Sequence, residues 1–304
     1  MLATVFDDIT NAFVAALQAG TQILAVYSLP LLGVLGLIAF YWQLGPKLMI
    51  GAGLGDALAG CLLFLLQIGV GYWVLFNLIP LSQAAFTTFL GWGASVTGST
   101  FTAAQLAQPS VIMTMGAVAI APQKSFIDRM IGLAKVFDFD HVINFDIAGW
   151  LIWFAVLAVA LHQIMILIEW HMSVMNATVL LPWGMLNPTA FFAEASVGWL
   201  GGTLIRLLVT GAFMGIAVPL YQSVSTSNTN AATGDPSVYG QFLLVAVSIV
   251  FAILAWVIPG RAASLAGRGL ALSGAQITGA AMGTARFYLL GSNVIRGVSS
   301  MIRR

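Results

Sequence analysis

Scarcity of charge constrains this chain more than any other feature. Only 7% of its 304 residues are Asp, Glu, Lys or Arg, while 60% are hydrophobic and the mean hydropathy is +0.98. A soluble domain meets water with polar groups over most of its surface, and this composition cannot supply them. Lipid is the expected solvent. Thr21–Gln43 and Ala57–Leu78 carry no charge, and Ile147–Ile168, Trp199–Tyr221 and Tyr239–Ile258 carry only Arg206 between them. Each run can cross a hydrocarbon core of roughly 30 Å as a helix rising ~1.5 Å per residue. Helices satisfy their own backbone hydrogen bonds in lipid, and the alternation of barrel strands is missing. The expected fold is all-α: a polytopic transmembrane helical bundle of about five spans, with a re-entrant or bent segment and amphipathic surface helices.

The chain divides accordingly. Residues 1–20 contain Asp7 and Asp8 but no Lys or Arg, unlike the basic start of a secretory signal. Leu2, Val5, Phe6, Ile9, Phe13 and Leu17 follow helical spacing. They predict either an amphipathic helix on the membrane surface or a plain extension of the first span. Two spans fill 21–78. Residues 79–146 read as a long extracytoplasmic segment, with Leu90–Thr102 as loop or re-entrant backbone. A helix is expected over Ser125–Phe137, capped by Ser125 with Asp128 three residues on. The remaining spans occupy 147–258. Within them 171–188 is broken by Asn176, Pro182, Gly184, Asn187 and Pro188, so it reads as re-entrant or as a bent continuation of the third span. Residues 259–304 form a Gly- and Arg-rich tail.

Orientation follows from the cationic residues. Arg261, Arg268, Arg286, Arg296, Arg303 and Arg304 lie in a stretch with no Asp or Glu, which the positive-inside rule puts in the cytoplasm. Gln222–Val238 has no Lys or Arg and suits the other side, as does the acidic start. An odd number of crossings reconciles all three. Arg261, Arg268, Arg286 and Arg296 are candidate contacts to anionic lipid or an acidic partner. Gly201, Gly202, Gly279 and Gly283 are candidate close-packing or oligomer-contact positions, the last two at the four-residue spacing that lets helices approach.

Enzyme chemistry finds no foothold in these residues. There is no phosphate-binding Gly-x-x-x-x-Gly-Lys-Ser/Thr, no His-Glu-x-x-His and no serine elbow. Gly51–Gly55 reads as a turn between spans. Cys61 is the one cysteine, so no intramolecular disulfide forms. His162, Glu169 and His171 are the nearest approach to a metal-ligand set, with polar contacts inside a bundle as the plainer reading. His162, Glu169, Glu194 and Arg206 form a candidate intramembrane polar cluster. Arg206 either pairs with Glu169 or Glu194, or snorkels to the headgroups. No cofactor is expected beyond bound phospholipid.

The order of these features resembles the TrbL family (the VirB-six-like proteins), polytopic inner-membrane subunits of type IV secretion and conjugation machines. The resemblance rests on an acidic amphipathic start and on the block Leu151–Gly184, which passes through Ile168-Glu169-Trp170 into Leu180-Leu181-Pro182-Trp183-Gly184. It continues in Phe191-Phe192-Ala193-Glu194, in Gly201-Gly202-Thr203-Leu204-Ile205-Arg206-Leu207, and in Leu243–Pro259 leading to Gly260-Arg261-Ala262-Ala263-Ser264-Leu265-Ala266-Gly267. It implies a bacterial inner-membrane protein, N-terminus periplasmic and C-terminus cytoplasmic. Its partners would be copies of itself, other inner-membrane and periplasmic subunits, the secretion ATPases, pilus subunits and, in passing, a DNA or protein substrate. A secondary transporter or other small-solute channel is the alternative.

Overall fold

The computed structural model describes residues 2–49, 54–96, 98, 102–129, 139–227 and 237–264, and no strand occurs among them. The elements are α1 (Leu2–Met49), α2 (Leu54–Phe76), α3 (Leu78–Val96), α4 (Ala103–Leu106), α5 (Pro109–Arg129) and α6 (Phe139–Leu180). Two 3-10 turns come next, Leu181–Met185 and Asn187–Thr189, then α7 (Ala190–Ser227) and α8 (Val238–Ser264). The chain is a multi-pass helical membrane protein by the length and apolarity of six helices: α1, α2, α5, α6, α7 and α8. That is one more than the five runs read from sequence, and the extra one is α5.

Packing sets the relative directions of the long helices. Gln18 meets His171 and Gly20 faces Met175, so α1 runs parallel to α6. Phe40 packs on Phe64 and Gly36 on Ile68, so α2 returns antiparallel to α1. Leu78 clusters with Val174 and Leu207, while Ala94 clusters with Val159 and Met214. Therefore α3 runs with α7 and against α6. Gly116 faces Val156 and Phe126 meets Phe145, so α5 also runs against α6. Together α2, α3 and α5 form one downward path broken at two places, with α6 then running up, α7 down and α8 up.

Each break has a local cause. Pro80 has no N–H for the Phe76 carbonyl and its ring crowds that carbonyl, which interrupts the helix at Asn77. The second break includes residues 102–108 and lies level with the middle of α6, since Leu106 packs with Val159. Thr102 and Gln105 form a capping box that starts α4, and Pro109 opens α5 at the position where its missing N–H costs least.

Five sequence expectations are decided here. Residues 2–20 are the first turns of α1 and continuous with its span, the plain extension of the two readings. The 79–146 segment is mostly long helix. Leu90–Val96, read as loop, belongs to α3, and its glycine serves helix packing. Ser125 caps nothing: it lies inside α5, and its Oγ donates to the Pro122 carbonyl at 2.8 Å. Residues 130–138 lie outside the described residues. Finally, His171–Leu180 continues α6 without a break, and Pro182 and Pro188 tighten the chain beyond Leu180 into 3-10 turns, so 171–188 is the bent end of that span.

Helix α6 is the central post. In its most apolar window 56% of residues are buried, against 11% in α2. The outer side of α2 leaves Leu62, Leu63, Leu66 and Trp73 exposed, a surface suited to lipid or to another apolar protein face. At the α3–α7 crossing, Gly93 and Gly211 bring two backbones together. A Cβ on Gly93 would sit on the Leu208 carbonyl and 2.8 Å from Ala212 N, and one on Gly211 would lie 2.5 Å from the Leu90 carbonyl. Small residues at such a crossing let two helices gain contact that lipid-facing side chains cannot give.

Candidate functional site

Antiparallel packing of α6 and α7 brings Glu169 and Arg206 together as an ion pair, with Arg206 24% and Glu169 30% exposed. Helix α8 closes over the pair at Gly260, where a Cβ would stand 3.8 Å from Arg206 Nη2. Gly202 helps in the same way a turn before Arg206, buried with the Ala263 carbonyl 3.8 Å from its Cβ position. Two turns from Glu169 on α6, the His162 ring is 8% exposed and lies against Trp256, with centroids 4.8 Å apart. Neither ring nitrogen of His162 nor Arg206 Nε has a hydrogen-bond partner among the described residues. Buried polar atoms left this way cost on the order of 1–3 kcal/mol each, which marks this contact as a place where the bundle gives up stability.

Of the four residues expected to cluster, Glu169 and Arg206 pair, while His162 lies two turns away on α6 against Trp256. Glu194 does not join them. It stands exposed near the start of α7, twelve residues from Arg206 on the same helix, a rise of roughly 18 Å. Among the described residues no group of three His, Cys, Asp or Glu side chains could hold a metal ion. His171 turns instead to the Leu167 carbonyl at 2.8 Å and to the Phe86 ring. Gly201 is half-buried in α7, and Arg261 is exposed near the end of α8. Gly279, Gly283, Arg268, Arg286 and Arg296 lie outside the described residues.

Uncharged polar residues do more here than the charges led one to expect. Gln163 is fully buried on α6, and its Nε2 donates to the Leu106 carbonyl at 2.9 Å, satisfying irregular backbone at the α4 end. Asp7 of α1 accepts from Ser110 N at 2.9 Å and so caps the first turn of α5 from another helix. Such a cap contributes about 1 kcal/mol, with the negative charge placed favourably at the positive end of the helix dipole. Gln123 of α5 donates through Nε2 to Gln241 Oε1 of α8, a buried bond between two helices that are not neighbours in sequence. Tyr221 and Ser248 join α7 to α8 through their hydroxyls at 3.1 Å. The available signal was a glutamine inside a long apolar run, which in lipid must find a partner in protein.

The arrangement is a set of separate polar contacts that tie α6 and its neighbours together: Gln123–Gln241, Gln163–Leu106 and Glu169–Arg206. It can hold broken backbone inside an apolar bundle and fix the register of α6, α7 and α8. No family model matches the chain, and no curated protein is significantly similar to it.

Proposed function

We propose that this chain is an inner-membrane scaffold or channel subunit of a type IV secretion system, supporting transfer of DNA or protein and assembly of the pilus. One observation carries the reading. Two of the sequence blocks that carry the family resemblance, around Ile168-Glu169-Trp170 and Gly201–Leu207, meet in space through Glu169 and Arg206. The lengths of α1, α6 and α7 agree with it. At 48, 42 and 38 residues they run roughly 57–72 Å, about twice the hydrocarbon thickness. Such rods carry protein surface beyond the bilayer, where soluble and periplasmic partners can reach it. In this reading the protein works without turnover of its own, as a homo-oligomer, and its cationic end faces the secretion ATPases.

A secondary transporter is the second reading, favoured by the break between α3 and α5 level with the middle of α6, where buried Gln163 meets the Leu106 carbonyl. Deletion separates the two. Removal of the gene from a conjugating or secreting host is expected to abolish transfer to recipient cells while solute uptake and growth stay normal. Normal transfer with a lost uptake activity contradicts the secretion reading and supports the transporter.

A further inference from the structure

A cavity of about 560 Å3 opens between α1, α5 and α6, away from the Glu169–Arg206 pair. Because α5 and α6 are antiparallel, its lining sorts by depth. Lys124, Asp128 and Asp146 stand exposed at one end, while Met113 and Leu157 close the other, with Trp153 along the wall. From Asp128 to Met113 the helix rises roughly 22 Å, more than one leaflet of hydrocarbon at about 15 Å. The shape is an apolar slot with a charged mouth, of a size that takes a ligand chain.

Gln123 adds a second, independent sign. Its side chain is 1% exposed and lines the cavity. One end of the amide is engaged with Gln241, while Oε1 has no partner among the described residues. That atom faces Gly149, whose Cβ position lies 3.4 Å away on the same cavity wall. A buried acceptor without a donor is costly, and an occupant carrying an N–H or O–H would relieve it. The mouth carries one positive and two negative side chains, so a purely anionic headgroup meets net repulsion. A zwitterion finds Lys124 for its phosphate and two carboxylates for its ammonium.

We propose that this cavity binds one acyl chain and the headgroup of a zwitterionic, amine-bearing phospholipid, phosphatidylethanolamine being the membrane lipid of that chemistry. Phosphate rests on Lys124, the ammonium lies between Asp128, Asp146 and the Gln123 carbonyl, and the tail runs past Gly149 and Trp153 to Met113. The inference is independent of the secretion role.

The test is native mass spectrometry of the full-length protein released from nanodiscs containing equal parts phosphatidylethanolamine, phosphatidylcholine and phosphatidylglycerol. Phosphatidylethanolamine is expected to be retained about tenfold over either competitor, the worth of one charge-assisted hydrogen bond. Lys124→Glu should remove that retention, and Asp128→Asn with Asp146→Asn should shift it toward phosphatidylglycerol. These rim positions are exposed, so the variants keep the fold, and their elution by size-exclusion chromatography checks this. Gly149→Leu, which fills the slot, should lose all three lipids. Equal retention of the three lipids by the wild type, or retention indifferent to the rim changes, overturns the proposal and leaves only annular lipid.

Discussion

Gly93→Leu is expected to abolish the monodisperse, detergent-extracted form of the protein. Nothing but glycine fits between α3 and α7 at this point, because the obstacle is backbone and cannot rotate away. Overpacking a fitted interior costs typically about 1–3 kcal/mol and occasionally more, and here relief requires two helices to separate along their contact. Gly93→Ala should show the same defect in milder form, as a lowered thermal midpoint in fluorescence-detected chromatography. Gly211→Ala should match it, since each glycine faces the other helix's backbone. Gly69→Ala on α2 is the control. Nothing lies within 4 Å of its Cβ position, and alanine favours a helix over glycine by about 0.8–1 kcal/mol, so it should be neutral or mildly stabilising. Equal tolerance at Gly93 and Gly69 would contradict the crossing.

The second large effect concerns the ion pair. Arg206→Met leaves Glu169 as an uncompensated charge among apolar helices, and Glu169→Met does the same to Arg206. For a fully buried pair each loss costs about 3–5 kcal/mol. With 24% and 30% exposure some solvent screening remains, and on the order of 2 kcal/mol is the expected destabilisation of each single variant. The double variant, with no charge left to bury, should recover most of that loss. In transfer assays the single variants should fall with their stability and the double variant should rise above both. Additive losses in the double variant, or two neutral single variants, would contradict the pairing.

Several features of this structure were legible in residue order because they are written in composition. The spans ending near Gln43 and Leu78 and those over Ile147–Ile168, Trp199–Tyr221 and Tyr239–Ile258 are all helical, since an apolar run of that length with at most one charge has no other satisfactory state in lipid. Arg206 and Glu169 were identifiable as a candidate pair because a charge inside a span must find a partner or reach water. The missed features are those where one residue type serves two purposes. Gly91, Gly93 and Gly98 looked like loop punctuation, yet the first two lie in α3, Gly93 for a close approach, and only Gly98 takes a positive φ, at 68°. Asp7 looked like the wet side of a surface helix, yet it caps α5 about a hundred residues away. Gln163 and Gln241 stand out as polar residues in apolar runs, but nothing local names their partners. Their roles depend on which helices become neighbours, and residue order determines that only through the assembled bundle. The polar faces of α5 also lowered its hydropathy to 1.2, against 2.5 for the α6 segment, which is why this helix was read as lying outside the membrane.

We propose that the chain threads the bilayer in five alternating traverses, with the end of α7 outside and the end of α8 inside. Scanning accessibility tests it most directly. In a Cys61→Ser background, single cysteines replace Asn144, Asn187, Ser227 and Ser264, all exposed near helix ends. A membrane-impermeant maleimide is then applied to intact spheroplasts and to lysed ones. The account predicts labelling of positions 144 and 227 in intact cells and of 187 and 264 only after lysis. Labelling of all four from outside, or of 227 and 264 from the same face, would contradict it.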